Sequence, residues 1–109
     1  VRMELSNPGT EMLVAEVDGE VVGFVHANTN GPVPTILRLH VDPAHRDGEA
    51  ALFEAIETAV DAPDGLRATA LEANEHMRAF YEDRGFERID TERTTIGETQ
   101  YPESIFERA

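Results

Sequence analysis

The sequence predicts an α/β protein in which a sheet of mixed strands is packed by two helices. Three observations lead to this fold class. Two apolar runs flank the turn pair Asp18-Gly19, an amphipathic helix pattern spans Gly48 to Asp61, and a second, capped helix pattern follows Asn74. The segments around them follow the order β-β-β-α-β-α-β-β, which we interpret as a single domain over residues 1–109.

The first half of the chain predicts three strands. Residues Thr10 to Val17 and Val21 to Ala27 are apolar runs, and the Asp18-Gly19 pair between them is typical of the tight turn that closes a hairpin. Residues Thr35 to Val41 alternate apolar and polar side chains, which predicts a strand with one buried face.

The helix predicted from about Gly48 to Asp61 has an apolar stripe and an acidic face. The buried stripe is expected to consist of Leu52, Ala55, Ile56, Ala59 and Val60. The face expected to contact water consists of Glu49, Glu54, Glu57 and Asp61. Pro63-Asp64-Gly65 then breaks the chain. Further strands are predicted at Leu66 to Glu72, Phe86 to about Thr95 and, after a turn near Gly97, Ser104 to Glu107.

The segment from Asn74 to Phe86 predicts a helix with defined ends. The Asn74 side chain can accept a hydrogen bond from the free amides of the first turn. Gly85 suits the left-handed residue that follows a helix, and Phe86 is then placed to pack back onto the last turn. The residues that share a face at helical spacing are Met77, Phe80, Tyr81 and Arg84.

The composition is that of an acidic globular protein. The chain has 22 acidic and 9 basic residues, a net charge of -13, and all nine basic residues are arginine. Such a surface repels nucleic acid and anionic membranes, so we expect neither as a partner. We also expect adaptation to a high-salt cytoplasm, because concentrated salt screens repulsion between carboxylates; an ordinary acidic protein is the alternative.

Several functions are excluded or disfavoured by missing residues and motifs. The chain has no cysteine, so it can form neither a disulfide nor a thiolate nucleophile. Its four histidines lack the spacing of zinc ligands, so we predict no metal. The sequence has no apolar run long enough to span a membrane and no signal-peptide pattern.

The motif Asn74-x-x-x-x-Ala79-x-Tyr81-Glu82-x-x-Gly85-Phe86 closely resembles the last conserved segment of the GNAT (GCN5-related) N-acetyltransferases. With the acidic composition, the chain is similar to a haloarchaeal member. The resemblance covers about Thr10 to Ala109 and implies a mixed, mostly antiparallel sheet with flanking helices. The strand and two helices with which the family normally begins are not evident, because Val1 to Gly9 is too short to encode them. Either the chain is a shortened member or the sequence lacks an N-terminal part.

The resemblance implies an N-acetyltransferase that passes an acetyl group from acetyl-CoA directly to an amine of a small molecule or peptide. The resemblance also implies that the protein could form a homodimer. The alternative is a catalytically inactive GNAT-like module that binds a ligand or partner.

The family also suggests where coenzyme A would bind. Leu39 to Arg46 resembles the strand and turn that precede the family's pyrophosphate loop, whose small residues let backbone amides approach the phosphates. Here the loop consists of Arg46, Asp47, Gly48, Glu49, Ala50 and Ala51. Either Glu49 replaces a small residue and repels the phosphates, or the loop is about two residues short and offers fewer amides. Arg46 alone could also be a solvated surface arginine.

The strand that leads into this loop has a second implied role. In the family it diverges from the next strand, and the pantetheine arm enters the gap. By this resemblance Leu39, His40 and Val41 would hold the cofactor, mainly through backbone groups, although Leu39 and Val41 could also be ordinary core residues. Asn74 would contact the pantetheine arm or serve only as a helix cap.

Tyr81 corresponds to the family's general acid, which donates a proton to the departing sulfur. A phenol is protonated at neutral pH and can do this, although Tyr81 could instead be a core aromatic residue. His40, on the polar face of its strand, is the first candidate for the general base. His26 and Glu72 are further candidates, whereas His76 is expected to be solvated and His45 to shape the turn.

Overall fold

Seven strands form one mixed sheet in the computed structural model, which describes residues 2–7 (backbone only), 9–31, 33–60 and 65–108. The strands are β1 (Arg2–Asn7), β2 (Thr10–Val17), β3 (Glu20–Asn28), β4 (Thr35–Val41), β5 (Leu66–Leu71), β6 (Glu87–Ile96) and β7 (Thr99–Arg108). Their spatial order is β1-β2-β3-β4-β5-β7-β6, and only β4 and β5 pair in parallel. The predicted fold class, a mixed and mostly antiparallel sheet with flanking helices, is confirmed.

The β2–β3 hairpin has the turn that the sequence predicts. Asp18 and Gly19 have φ values of 53° and 85°. Two consecutive positive φ angles are what the tight hairpin turn requires, because their twist matches that of the flanking strands. The register that follows pairs Val14 with Phe24 and Leu13 with Val25.

A strand that the sequence analysis did not predict lies at the start of the chain. β1 pairs antiparallel with β2, and only two residues separate Asn7 from Thr10. No helix fits between β1 and β2. The strand was missed because it is short and has only Met3 and Leu5 as alternating apolar residues.

The first helix, α1 (Gly48–Val60), begins where predicted. The predicted end at Asp61 and the break at Pro63-Asp64 lie outside the described residues. Its buried face is rotated from the predicted stripe and consists of Glu49, Leu52, Phe53 and Ile56. The prediction was therefore wrong for Ala59, which is exposed, and for Glu49, which is only 6% exposed. Two contacts with the second helix account for the buried residues outside the predicted stripe: Phe53 lies 5.8 Å from Phe80 between ring centroids, and Glu49 contacts His76.

The second helix, α2 (Glu75–Glu82), has both predicted ends. The Asn74 Oδ1 atom accepts a hydrogen bond from the Met77 amide at 3.1 Å. At the other end Gly85 has φ 87°, and the Phe86 amide donates to the Tyr81 carbonyl at 3.1 Å, which is the Schellman arrangement. Phe86 is buried and packs on Tyr81 and Phe53.

The β6–β7 hairpin is longer than predicted. β7 begins at Thr99 rather than Ser104, and the turn lies at Gly97 and Glu98. The added residues of β7, from Thr99 to Pro102, are all exposed, so no apolar alternation marks them in the sequence. Ser104 and Phe106 return to the core, where Phe106 packs on Tyr81.

Candidate active site

The parallel strands β4 and β5 pair over only two positions. Thr35 pairs with Arg67 and Ile36 with Ala68, and beyond these pairs the two strands diverge. A cavity of about 270 Å³ occupies the gap. Its lining residues are Phe24, Leu37, Arg38, Leu39, His40, Thr69, Ala70, Leu71, Asn74, Met77, Tyr81, Thr94, Ile96 and Glu103. The cavity therefore lies at the carboxyl ends of two parallel strands, where α1 and α2 also begin.

A β-bulge at Leu37 marks the point of divergence. On β3 the neighbours His26 and Ala27 pair with Arg38 and Ile36, so Leu37 is an extra residue in β4. The Leu37 carbonyl accepts a hydrogen bond from Thr69 Oγ1 on β5 at 3.1 Å. Because of the extra residue, Ile36 and Leu39 both face the core.

Beyond the bulge, β4 presents unpaired backbone groups to the gap. The Asp42 amide donates to the Val22 carbonyl at 2.8 Å, so at Asp42 the backbone points towards β3. Successive residues of a strand point their backbone groups to alternate sides. The amides and carbonyls of Leu39 and Val41 therefore point towards β5, past the last backbone pair between the two strands. Both side chains are buried in the core.

Tyr81 closes the inner end of the cavity. Its side chain is fully buried, and its hydroxyl has no hydrogen-bond partner among the described residues. Burial, and secondly the negative charge of Glu49, raise the pKa of the Tyr81 phenol well above its ordinary value. The site thus holds a protonated donor without a partner, next to an open space.

Asn74 lines the cavity and caps α2 at the same time. The cap uses only its Oδ1 atom, and no hydrogen bond within the described residues uses the Nδ2 group of the side-chain amide. The side chain can therefore stabilise the helix and still donate to a molecule in the cavity. The two roles predicted for Asn74 are compatible.

The outer side of the cavity carries charged and titratable groups. The His40 side chain is 62% exposed, and its Nε2 atom lies 3.8 Å from Asp42 Oδ1. Its ring centroid is 6.1 Å from that of Phe24. On β7, burial and then the charge of Glu92 raise the pKa of Glu103, while the Arg38 guanidinium partly opposes this shift. The groups on this side of the cavity are thus a histidine, an arginine and a carboxylate.

The segment from Arg46 to Ala51 lies at the start of α1 and does not line the cavity. Arg46 and Asp47 are exposed in a turn, and Ala50 is half-buried. A methyl group built onto Gly48 would meet only Val41 Cγ1, at 3.9 Å, so neither crowding nor a positive φ requires glycine there. The space beside this residue is open to a ligand.

Glu49 does not extend into solvent at the helix start. Its two carboxylate oxygens lie 2.8 and 2.9 Å from Nε2 of His76, in the first turn of α2. His76 is exposed, as the sequence predicts, and its Nε2 atom also forms a hydrogen bond with the Glu49 carboxylate, which the sequence did not predict.

Some predicted residues lie away from the cavity. His26 and Glu72 are absent from its lining, and Glu72 instead contacts Thr91 Oγ1 at 3.3 Å. His45 ends a short 3-10 helix that precedes the loop. Sequence reasoning missed Phe24, Thr69 and Glu103, because strand pairing brings them to the site from three separate strands and no local pattern distinguishes them.

Among the described residues, no three His, Asp or Glu side chains cluster as ligands for a metal ion. None of the helices in this part of the chain is long and apolar enough to cross a membrane.

The described residues form an α/β domain in which two parallel strands diverge, both helices begin beside the gap and a buried tyrosine lines it. The chain belongs to the GNAT acetyltransferase family: residues 1–101 match the model of the Acetyltransferase (GNAT) domain. No curated protein matches it in sequence.

Solved structures share the fold at low sequence identity. A probable acetyltransferase from Staphylococcus epidermidis has a TM-score of 0.80 at 16% identity, over 93% of this chain and 68% of that one. PaiA N-acetyltransferase from Thermoplasma acidophilum, in complex with coenzyme A, has a TM-score of 0.72 at 22% identity, over 92% and 60%. Ribosomal-protein-alanine N-acetyltransferase from Brucella melitensis has a TM-score of 0.74 at 18% identity, over 93% and 69%. The chain thus spans about two thirds of the length of these structures.

Proposed function

We propose that the protein is an N-acetyltransferase that uses acetyl-CoA and transfers the acetyl group directly to an amine of a small molecule or peptide. One observation carries the proposal: the gap between β4 and β5 ends at the buried, protonated Tyr81 hydroxyl, which has no partner among the described residues. A buried donor without a partner is costly, so such a group in a native fold calls for an explanation, and a bound ligand supplies one.

The residues at the gap suit a coenzyme with a long, amide-containing arm. The unpaired backbone groups of Leu39 and Val41 can pair with the amides of a pantetheine arm as a β-strand would. Nδ2 of Asn74 is a further donor on the opposite wall. The amides at the start of α1 and the exposed Arg46 side chain suit the pyrophosphate, because a helix N-terminus favours negative charge.

Acetyl-CoA supplies an activated thioester, and the chain supplies the groups that manage protons. In this proposal Tyr81 donates its proton to the departing sulfur, since burial keeps the phenol protonated. His40, at the outer side of the cavity, takes a proton from the acceptor ammonium directly or through water. The absence of cysteine is consistent with direct transfer.

The acceptor side favours a cationic amine. Glu103 lines the cavity and faces the like charge of Glu92 across the β6–β7 hairpin, so a bound cation would relieve their repulsion. Arg38 lies on the same side and suits an acceptor that carries a carboxylate near its amine. Amino-terminal groups of peptides and small amino compounds both meet this description.

The first test is calorimetric titration of acetyl-CoA into the protein, in dilute buffer and in molar KCl. We expect saturable binding at a ratio of one coenzyme per chain, followed by acetylation of amines in an acceptor screen. If the folded protein binds no acetyl-CoA in either buffer, the proposed activity is excluded.

A second candidate function is a catalytically inactive GNAT-like module. The observation that favours it is the presence of Glu49 at the helix start where phosphates would bind. Binding of coenzyme A without acetylation of any amine, together with unchanged affinity in a Tyr81→Phe variant, would support this module over the enzyme.

A further inference from the structure

Glu49 occupies an unusual place for a carboxylate. It lies in the first turn of α1, its side chain is 8% exposed, and both of its oxygens face Nε2 of His76. Both oxygens are acceptors, so Nε2 of His76 must carry the hydrogen that they share. The pair connects the first turn of α1 to the first turn of α2.

The position of this pair follows from the topology. α1 follows β4 and α2 follows β5, and because these neighbouring strands are parallel, both helices begin at the same edge of the sheet. Each helix start presents free amides and partial positive charge. An anion from the chain itself, Glu49, already lies between the two starts, so it competes with any phosphate that approaches them.

We propose that His76 is a positioning residue for coenzyme binding: it holds the Glu49 carboxylate sideways between the helices and so leaves the start of α1 open to the pyrophosphate. This inference depends on the proposed use of acetyl-CoA. His76 acts in two ways. Its hydrogen bonds fix the direction of the Glu49 carboxylate. They also hold the charged oxygens on the side of His76, away from the position proposed for the pyrophosphate.

The alternative is that the pair merely fastens α1 to α2. A double-mutant cycle separates the two roles, because the contact between the helices is lost equally in His76→Ala and in the double variant His76→Ala/Glu49→Gln. The repulsive charge persists in the single variant and is absent from the double variant. Glu49→Gln alone completes the cycle.

The measurement is the dissociation constant for coenzyme A at low ionic strength, with the fold of each variant checked by its melting temperature. We expect His76→Ala to weaken coenzyme A binding by roughly tenfold. The double variant should recover most of the loss. Glu54→Gln, which removes an exposed charge one turn further along α1, is the matched control and should bind like the wild type. Pantetheine, which lacks the pyrophosphate, should bind the wild type and His76→Ala equally.

Three results would overturn the positioning role while leaving the proposed function in place. They are unchanged coenzyme A affinity in His76→Ala, equal losses for coenzyme A and pantetheine, or a double variant as weak as the single one. A wild-type protein that binds no coenzyme A would instead remove the proposed function, and the positioning role with it.

Discussion

At the scale of single residues, Tyr81 best shows how structure changes the interpretation of a motif. Helical spacing alone is consistent with a core aromatic side chain, and Tyr81 does pack against Phe80, Phe86 and Phe106. A phenylalanine would satisfy all of these ring contacts. What packing does not explain is the buried hydroxyl without a partner.

Replacing Tyr81 with phenylalanine should therefore separate stability from activity. We expect turnover to fall by about 10²- to 10⁴-fold, the usual contribution of a general acid. The free energy of unfolding should stay the same or rise by about 1 kcal/mol, since a buried donor without a partner is removed. Steady-state kinetics and urea unfolding measure the two effects. Unchanged turnover would remove Tyr81 as the acid.

The raised pKa of Tyr81 also has a consequence for stability at high pH. The folded-state pKa lies above the unfolded value of 10.0, so the folded state holds the proton more tightly. The resulting stability is fully present below pH 10.0 and is lost as the pH rises towards the folded-state pKa. Urea unfolding at about pH 9 and about pH 11 should show a larger loss for the wild type than for Tyr81→Phe. If both proteins lose the same unfolding free energy between these pH values, the Tyr81 hydroxyl is not buried as described.

Asn74 allows a similar separation. Asn74→Ser keeps an oxygen that can cap α2 but lacks the Nδ2 donor. We expect stability within about 0.5 kcal/mol of the wild type, because serine is also a good cap. Affinity for acetyl-CoA should nevertheless decrease. Asn74→Ala, which loses both functions, should cost about 1 kcal/mol of stability as well. Wild-type affinity in the serine variant would limit Asn74 to its capping role.

At the scale of elements, local signals predict some parts of the molecule well. The Asp18-Gly19 turn and the α2 helix with its caps depend on neighbours in sequence, and the structure agrees with both predictions. The bounds of β4 are also as predicted, although the bulge at Leu37 interrupts the alternation, so that Ile36 as well as Leu39 and Val41 faces the core.

Other parts depend on contacts between distant residues, and these the sequence could not reveal. The partner of Glu49 is 27 positions away, so a carboxylate that looks solvated on a helical wheel is buried. The exposed half of β7 has no apolar alternation. The cavity wall contributed by Thr69 and Glu103 depends on which strands are neighbours in the sheet, and the sequence alone does not specify that order.

The start of α1 provides a prediction at this scale. Gly48→Ala should stabilise the protein by about 0.5 kcal/mol, because alanine restricts the unfolded chain and its methyl group has room. The same methyl group should weaken coenzyme A binding if phosphates approach this backbone closely. Thr58→Ala, which improves helix propensity at an exposed site far from the helix start, is the control. Melting temperature and calorimetric titration are the measurements. Tighter coenzyme binding in Gly48→Ala would contradict the phosphate site.

At the scale of the whole molecule, negative charge exceeds what the chain can pair. Three ion pairs of arginine with glutamate occur among the described residues: Arg67–Glu107, Arg88–Glu72 and Arg108–Glu57. The 22 acidic residues exceed the nine arginines by 13, so even complete pairing would leave 13 carboxylates without an arginine partner. Two like-charged pairs lie directly opposite each other between β6 and β7, Glu87 with Glu107 and Glu92 with Glu103. An ion pair with Arg67 at 2.7 Å offsets the repulsion between Glu107 and Glu87. The repulsion between Glu92 and Glu103 remains at the cavity rim.

We therefore expect stability to increase with KCl concentration, because mobile ions screen this repulsion in the folded state. The Debye length falls from about 10 Å at 0.1 M to about 3 Å at 1 M, so screening should be nearly complete by about 1 M. Glu92→Gln provides an internal standard. It should stabilise the protein by about 0.2–1 kcal/mol in dilute buffer and by much less in molar KCl. Urea midpoints measured along a KCl series test both statements.

If stability continues to rise well beyond 1 M and the Glu92→Gln effect is insensitive to salt, exclusion of salt from the surface is the cause rather than screening. Full stability in dilute buffer with no response to KCl would exclude adaptation to high salt.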